Sequence, residues 1–222
     1  MRDFPHRERI EALHGALISG LRTRMTAAGW RIDPTVTLDT GDGRVGLFRI
    51  PLNQECSATA LFIWKGVSPL QVDTVVGVSY ERAYRIWPYL LSGYPHSEVR
   101  VGVEDICQDA PLVQLWELGE VEGAVDQLVG PVLDHAVGWA EPLASVDALL
   151  DRLSSSGQTD SALMDIPVLL AAAGMTDKAS QALVSAQNLY PEEAKKLLVG
   201  NYLGKFTAWL DAGAPPTPPN AP

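Results

Sequence analysis

The sequence is short of cysteine, of long apolar runs and of basic residues beyond its first segment. Its two cysteines, Cys56 and Cys107, stand far apart among 222 residues. That is too few for the disulfide framework of a small secreted domain. No run of about 18 apolar residues occurs, so no helical membrane span is expected. The opening stretch, MRDFPHRERIEALHG, has neither an apolar core nor a small-residue cleavage site and does not read as a secretory leader. Together these absences point to a reduced, cytoplasmic setting away from membranes.

Chemical signatures are missing too. The four histidines, His6, His14, His96 and His135, fall at no H-x-x-x-H spacing, and the cysteines form no C-x-x-C. Metal sites need ligands gathered by such spacings, so no metal and no cofactor is expected. The G-x-S-x-G of a nucleophile elbow is also absent. No catalytic residue is assigned.

One stretch, VTLDTGDGRVGLF over residues 36–48, does spell two signatures. Gly41 to Gly46 fits G-x-G-x-x-G, but a phosphate-binding loop must open a helix whose amides hold the phosphates. The next residues here are Leu47-Phe48-Arg49-Ile50-Pro51, a strand-like run ending at proline. Asp39-Thr40-Gly41 fits an aspartic protease triplet, but that chemistry needs two aspartates sharing one proton, and the chain carries one such triplet. Asp42-Gly43 is a favoured hairpin pair, because glycine tolerates positive φ. The stretch reads as a turn between strands.

What is present is charge, unevenly placed. The chain is net −10, with 17 basic and 27 acidic residues. Residues 97–165 hold 14 acids against Arg100 and Arg152, whereas residues 1–31 hold six arginines against three acids. An acidic block repels nucleic-acid phosphates and steers a basic protein toward itself. Carboxylates recur in groups: Glu104, Asp105 and Asp109; Glu120, Glu122 and Asp126; Asp147 and Asp151. Glu122 and Asp126 are four apart and so share one helical face. These groups lack the apolar surroundings that would tune a catalytic carboxylate, and they read as solvated. Glu104, Asp105, Asp109, Glu120, Glu122 and Asp126 are the candidate partner-binding residues.

Periodicity gives an α+β organisation. Ile10, Leu13, Leu17, Leu21 and Met25 form a helical stripe within residues 6–28, opened by Pro5 and stopped by Gly29. Strand signals come next at Val36 and Leu38, at 45–50, at 58–64 and, alternating, at 72–80. A short helix is expected over 81–91, then strands at 99–103 and 112–118. From Gly119 the period changes from two to about 3.6. One helix carries Val121, Val125, Leu128, Val132, Ala136 and Trp139, with Pro131 as a kink. Another carries Leu143 to Leu153, and Ser154 to Gly157 reads as a loop. Further helices are expected at 159–173, from Thr176, and from Pro191 through Leu198, Tyr202, Phe206 and Trp209 to Gly213. The tryptophans should mostly be core. The aromatics Tyr84, Trp87, Tyr89 and Tyr94 could alternatively form a binding patch. The expected fold is an N-terminal helix, a curved antiparallel sheet and a run of C-terminal helices. The divisions are an α+β domain over 1–155, packed helices over 156–213, and a disordered proline-rich tail, APPTPPNAP, over 214–222.

Two segments carry a resemblance. Val72-Asp73-Thr74-Val75-Val76-Gly77-Val78-Ser79-Tyr80-Glu81-Arg82 resembles the strand-to-helix passage of small bacterial domains of unknown function. Glu120 to Leu153 resembles the paired helices after their last strand. Related α+β domains act as immunity proteins that neutralise a toxin, and the resemblance implies that role with no catalytic motif to carry over. Residues 166–191 also resemble one tetratricopeptide-type helix pair; arrays need about three such repeats, so a single helical hairpin is expected. The expected function is a non-enzymatic protein-binding module, an immunity-type inhibitor among such modules, whose acidic surface meets a basic protein such as a toxin. The alternative is a small hydrolase or transferase with its site near Asp39 or Cys107.

Overall fold

The computed structural model describes residues 4–33, 43–65, 69–91, 98–199 and 201–216. The architecture is α+β: an N-terminal helix, an open antiparallel sheet, then C-terminal helices. Helix α1 spans Phe4–Ala27, and Leu13, Leu17, Leu21 and Met25 are buried along its apolar stripe. Gly29 ends it at φ +86°, where the Trp30 N–H reaches back to the Met25 carbonyl at 3.0 Å. That closure satisfies a carbonyl left over by the last turn and needs a residue free of a Cβ. It also turns Trp30 into the core, 2% exposed.

The sheet runs β1 (Arg31–Ile32), β2 (Gly43–Pro51), β3 (Cys56–Lys65), β4 (Leu70–Tyr80) and β5 (Val99–Gly102), in that order, with β6 (Val113–Leu115) paired to β4. Registers are antiparallel, with Ile32 opposite Phe48 and Val72 opposite Val113. β3 is buried on both faces almost throughout, as its largely apolar sequence favours, and it takes the polar Ser57 and Thr59 in with it. β4 alternates buried and half-buried positions from Leu70 to Val75, as a strand with one drier face should. Between β2 and β3 the Asn53 side chain accepts the N–H groups of Glu55 and Cys56, each at 2.8 Å. This local bond builds the turn. The expected strand at Val36 and Leu38, and Asp39-Thr40-Gly41, lie outside the described residues.

Helix α2 (Glu81–Leu90) starts directly on β4. Val103 belongs to a short helix α3 (Val103–Ile106) rather than to β5, and Leu118–Glu120 forms a 3₁₀ turn rather than the end of β6. A four-residue helical turn bonds locally, and the Gly102 N–H donates to Asp105 at its start, 3.2 Å away. Helix α4 (Val121–Pro131) passes through a π turn (Val132–Ala136) into α5 (Val137–Ala140). Proline has no N–H and clashes with the carbonyl four residues back, so the helix leaves regular α bonding at Pro131 and continues as a π turn.

Helix α6 (Val146–Ser156) absorbs residues 154–156, where a loop was expected, and Gly157 closes it at φ +65°. A second π turn (Ser161–Asp165) precedes α7 (Ile166–Ala172), with Pro167 in that helix's first turn. Helix α8 is Thr176–Leu189, α9 is Pro191–Val199 and α10 is Tyr202–Asp211. The single last helix expected from Pro191 is therefore broken. Asn201 sits in the left-handed region at φ 59°, which interrupts helical bonding.

Two compact units divide the chain. The first takes residues 1–51, 58–77 and 100–141; the second takes 52–57, 78–99 and 142–222. In the first, α1 packs on α4 and on β1. Gly20 is the close point: a Cβ there would lie 2.7 Å from Cγ2 of Val125. Phe48 meets Phe62 edge-on at 5.7 Å, a favoured aromatic geometry. In the second, α2, α7 and α10 pack around a ladder of rings. Trp87 stacks on Tyr202 at 6.4 Å, Tyr202 on Phe206 at 5.9 Å, and Phe206 leans on Trp209 at 5.8 Å.

Candidate partner-binding surface

All six acids singled out from the sequence are exposed, and all belong to the first unit. Glu104 and Asp105 lie on α3, Asp109 comes just after it, Glu120 ends the 3₁₀ turn, and Glu122 and Asp126 lie on α4. The structure gives them different work. Asp105 caps the start of α3 through the Gly102 N–H. Glu120 accepts the N–H groups of Trp116 at 2.6 Å and Glu117 at 2.9 Å. Those two bonds hold its carboxyl below the usual carboxylate range, and the nearby Arg9 guanidinium adds to the effect. Asp126 pairs with Arg24 of α1 at 2.8 Å, both half-exposed. Glu104, Asp109 and Glu122 make no hydrogen bond or ion pair through their carboxylates among the described residues.

The arginine-rich helix therefore lies beside part of the acidic block. Arg9 donates to the Trp116 carbonyl, and Arg24 pairs with Asp126. Charges separated along the sequence meet inside one unit, which sequence counting could not reveal. Of the six, Glu104, Asp109 and Glu122 thus stay exposed without an internal partner for their charge, and Glu117 is exposed as well.

Beside Glu122 runs a groove of about 540 Å³, walled by α1 and α4. Its α1 wall carries Ala16, Ser19, Gly20 and Thr23, and Leu118, Val121 and Val125 line the other side. The signal for it stands in the sequence: small residues at three- and four-residue spacing next to the stripe of Leu13, Leu17, Leu21 and Met25. Leu118 is 51% exposed, Trp116 50% and Leu112 67%. Trp116 is thus not core, whereas Trp30, Trp64, Trp87 and Trp209 are. The Trp64 indole N–H finds no acceptor among the described residues, and the His14 ring lies 6.0 Å from the Trp64 ring.

The second unit holds a buried acid that no motif announced. Glu98 is 3% exposed, with Oε2 accepting the Tyr80 N–H at 2.9 Å and Oε1 accepting the Trp87 indole at 3.4 Å. Burial pushes its carboxyl up to about 8, opposed by the Tyr80 bond and aided by the Asp165 charge. Asp165 stands on the π turn and is itself 5% exposed. Burial, then Asp165, also pushes up the Tyr202 phenol, whose hydroxyl donates to the Met164 carbonyl at 3.4 Å. The aromatics around Trp87 belong to this core: Tyr84 and Trp87 are buried, and Lys205 lies over the half-buried Tyr89 ring at 5.9 Å. Tyr94 lies outside the described residues.

Cys107 is half-buried at the end of α3, and its N–H donates to the Val103 carbonyl at 2.9 Å. Asp39 lies outside the described residues. Among the described residues no group of His, Cys, Asp and Glu could hold a metal ion, and no helix is long and apolar enough to cross a membrane.

The fold is α+β, and its first unit carries a groove between two helices, with Arg24 and Glu122 as the charged residues of its lining. No family model, no curated protein and no solved structure matches the chain.

Proposed function

We propose that this chain is a non-enzymatic protein-binding module whose acidic surface receives a basic protein partner. An immunity-type inhibitor is the particular form, in which that surface covers the active site of a cationic toxin. The observation that carries the reading is the exposure of Glu104, Asp109 and Glu122 on one compact unit without internal partners for their charges. Solvated carboxylates with no cation beside them are poor catalysts but good steering groups. The layout of one helix, an antiparallel sheet and following helices supports the inhibitor form through its resemblance to immunity domains.

The test is a pull-down from a native lysate at low and high salt, then binding kinetics with the captured partner. Association should slow markedly as salt shortens the screening length to about 8 Å at physiological strength. Glu104→Lys, Asp109→Lys and Glu122→Lys together should slow it further. An association rate that ignores both salt and charge reversal sinks the proposal.

A further inference from the structure

The groove between α1 and α4 has features that a merely charged surface does not need. Its α1 wall, from Ala16 to Arg24, covers two helical turns, about 12 Å at 1.5 Å per residue. Small side chains line that wall, and Gly20 lets Val125 approach so closely that nothing larger fits behind it. Val121 and Val125 give the floor an apolar character. Leu118 lines the groove and is exposed, and Trp116 and Leu112, close to it in sequence, are exposed too. Half of the six large apolar side chains left exposed among the described residues fall within 112–118. Exposed apolar side chains beside a groove are the signature of an interaction site when they gather in one patch.

Charge then selects the occupant. Arg24 lines the groove but is already held by Asp126. Glu122 lines it too, with no ion-pair partner among the described residues. The uncompensated charge at the groove is therefore negative, with the exposed Glu117 nearby. An apolar ridge flanked by cations complements both features. A two-turn trough between helices suits one face of a short helix, with anchors three and four residues apart.

From this geometry we infer that the α1–α4 groove is the docking site for a basic amphipathic helix of a protein partner. The inference rests on the acidic-surface reading for its charge and adds an apolar anchor of its own.

The experiment uses the full chain and a defined probe. A fluorescein-labelled 14-residue peptide carries Leu at helical i, i+3, i+4, i+7 spacing and Lys elsewhere; a second peptide replaces every Lys by Glu. Anisotropy gives affinity, and amide chemical shifts give location. The Lys peptide should bind and shift amides along Ala16–Arg24 and Val121–Val125. Ser19→Trp, which fills the groove from an exposed position, and Leu118→Ser, which removes the mouth without touching the core, should each weaken it at least tenfold. Glu122→Lys should weaken it severalfold, and Val184→Ser on α8 should leave it unchanged. No binding of the Lys peptide, or shifts clustered elsewhere, overturns the inference. Salt-sensitive binding that Ser19→Trp and Leu118→Ser leave intact overturns the groove and keeps the acidic-surface reading. Equal binding of the Glu peptide overturns both. Concentration-dependent self-association abolished by Ser19→Trp assigns the groove to a second copy and overturns the basic helix.

Discussion

Glu98 holds the junction between β4 and α2 through Tyr80: its Oε2 accepts the Tyr80 N–H at 2.9 Å. The acid is enclosed, and burial above all lifts its carboxyl from 4.5 to about 8. The folded value lies above the unfolded one. Its favourable contribution is therefore complete below about pH 4.5 and is withdrawn as pH rises toward 8. Within that window the unfolded chain releases a proton that the folded chain keeps, which lowers stability by about 1.4 kcal/mol per pH unit. The Asp165 charge adds to the lift, and Glu98 in turn helps to raise the Cys56 thiol. Glu98→Gln removes the titration. Urea midpoints at pH 5, 6.5 and 8 should show the Gln variant gaining on the unaltered protein as pH rises. A difference that does not change with pH refutes the assignment.

The two thiols should separate by reactivity. Cys56 is fully buried, and burial, then the charges of Glu98, Glu55 and Glu81, push its thiol up to about 11. Thiolate is the reactive form, so Cys56 lacks both access and ionisation. Cys107 is half-buried at the end of α3. A maleimide titration of the native protein at pH 7.5 should label Cys107 alone, and denaturant should release the second equivalent. Mass spectrometry that finds Cys56 modified in the native state would contradict this.

Much of the fold was legible because it rests on local periodicity. The stripe of α1, the apolar run Ala60–Trp64 of β3 and the alternation of β4 each encode their own burial. The helix stops at Gly29 and Gly213 come from positive φ, at +86° and +82°. What was hidden depends on partners distant in sequence or on local bonds that compete. Val103 can continue a strand or open a helix, and the Asp105 bond to Gly102 and the Cys107 bond to Val103 favour the helix. Residues 154–156 look like a loop because serine favours turns, yet they finish α6. Asn201 breaks the last helix through a conformation that asparagine tolerates but does not advertise. At the surface, all six acids could be named, but not that Asp105, Glu120 and Asp126 would be occupied by N–H groups or by Arg24. Glu98 escaped notice because a lone glutamate beside a strand carries no pattern.

Tyr202 makes a test of packing against hydrogen bonding in the second unit. Its ring lies between Trp87 and Phe206, and its hydroxyl makes one long bond, 3.4 Å, to the Met164 carbonyl. A long bond contributes at the low end of the usual range of about 0.5–1.5 kcal/mol. The ring supplies most of the stabilisation. Tyr202→Phe should cost under about 1 kcal/mol, and Tyr202→Ala about 3–5 kcal/mol through the cavity it leaves. Equal losses in chemical denaturation would mean that the hydroxyl, not the stack, holds α10 in place.

Gly20 should invert a familiar substitution effect. Glycine inside a helix normally costs about 1 kcal/mol relative to alanine, so Gly→Ala usually stabilises. Gly15 lies on the same helix with nothing within 4 Å of its Cβ position, and there the usual gain should appear. At Gly20 the added carbon would meet Cγ2 of Val125 at 2.7 Å. Valine is stiff at χ1 and cannot swing aside cheaply, so α4 must move away from α1. Overpacking of this kind costs about 1–3 kcal/mol, which exceeds the propensity gain. Gly20→Ala should therefore lower the denaturation midpoint while Gly15→Ala raises it. Gly20→Ala combined with Val125→Ala should recover part of the overpacking loss, because the second change removes the colliding methyl. Stabilisation by Gly20→Ala alone would mean that α1 and α4 are not held at this separation, and the narrow floor of the groove would go with it.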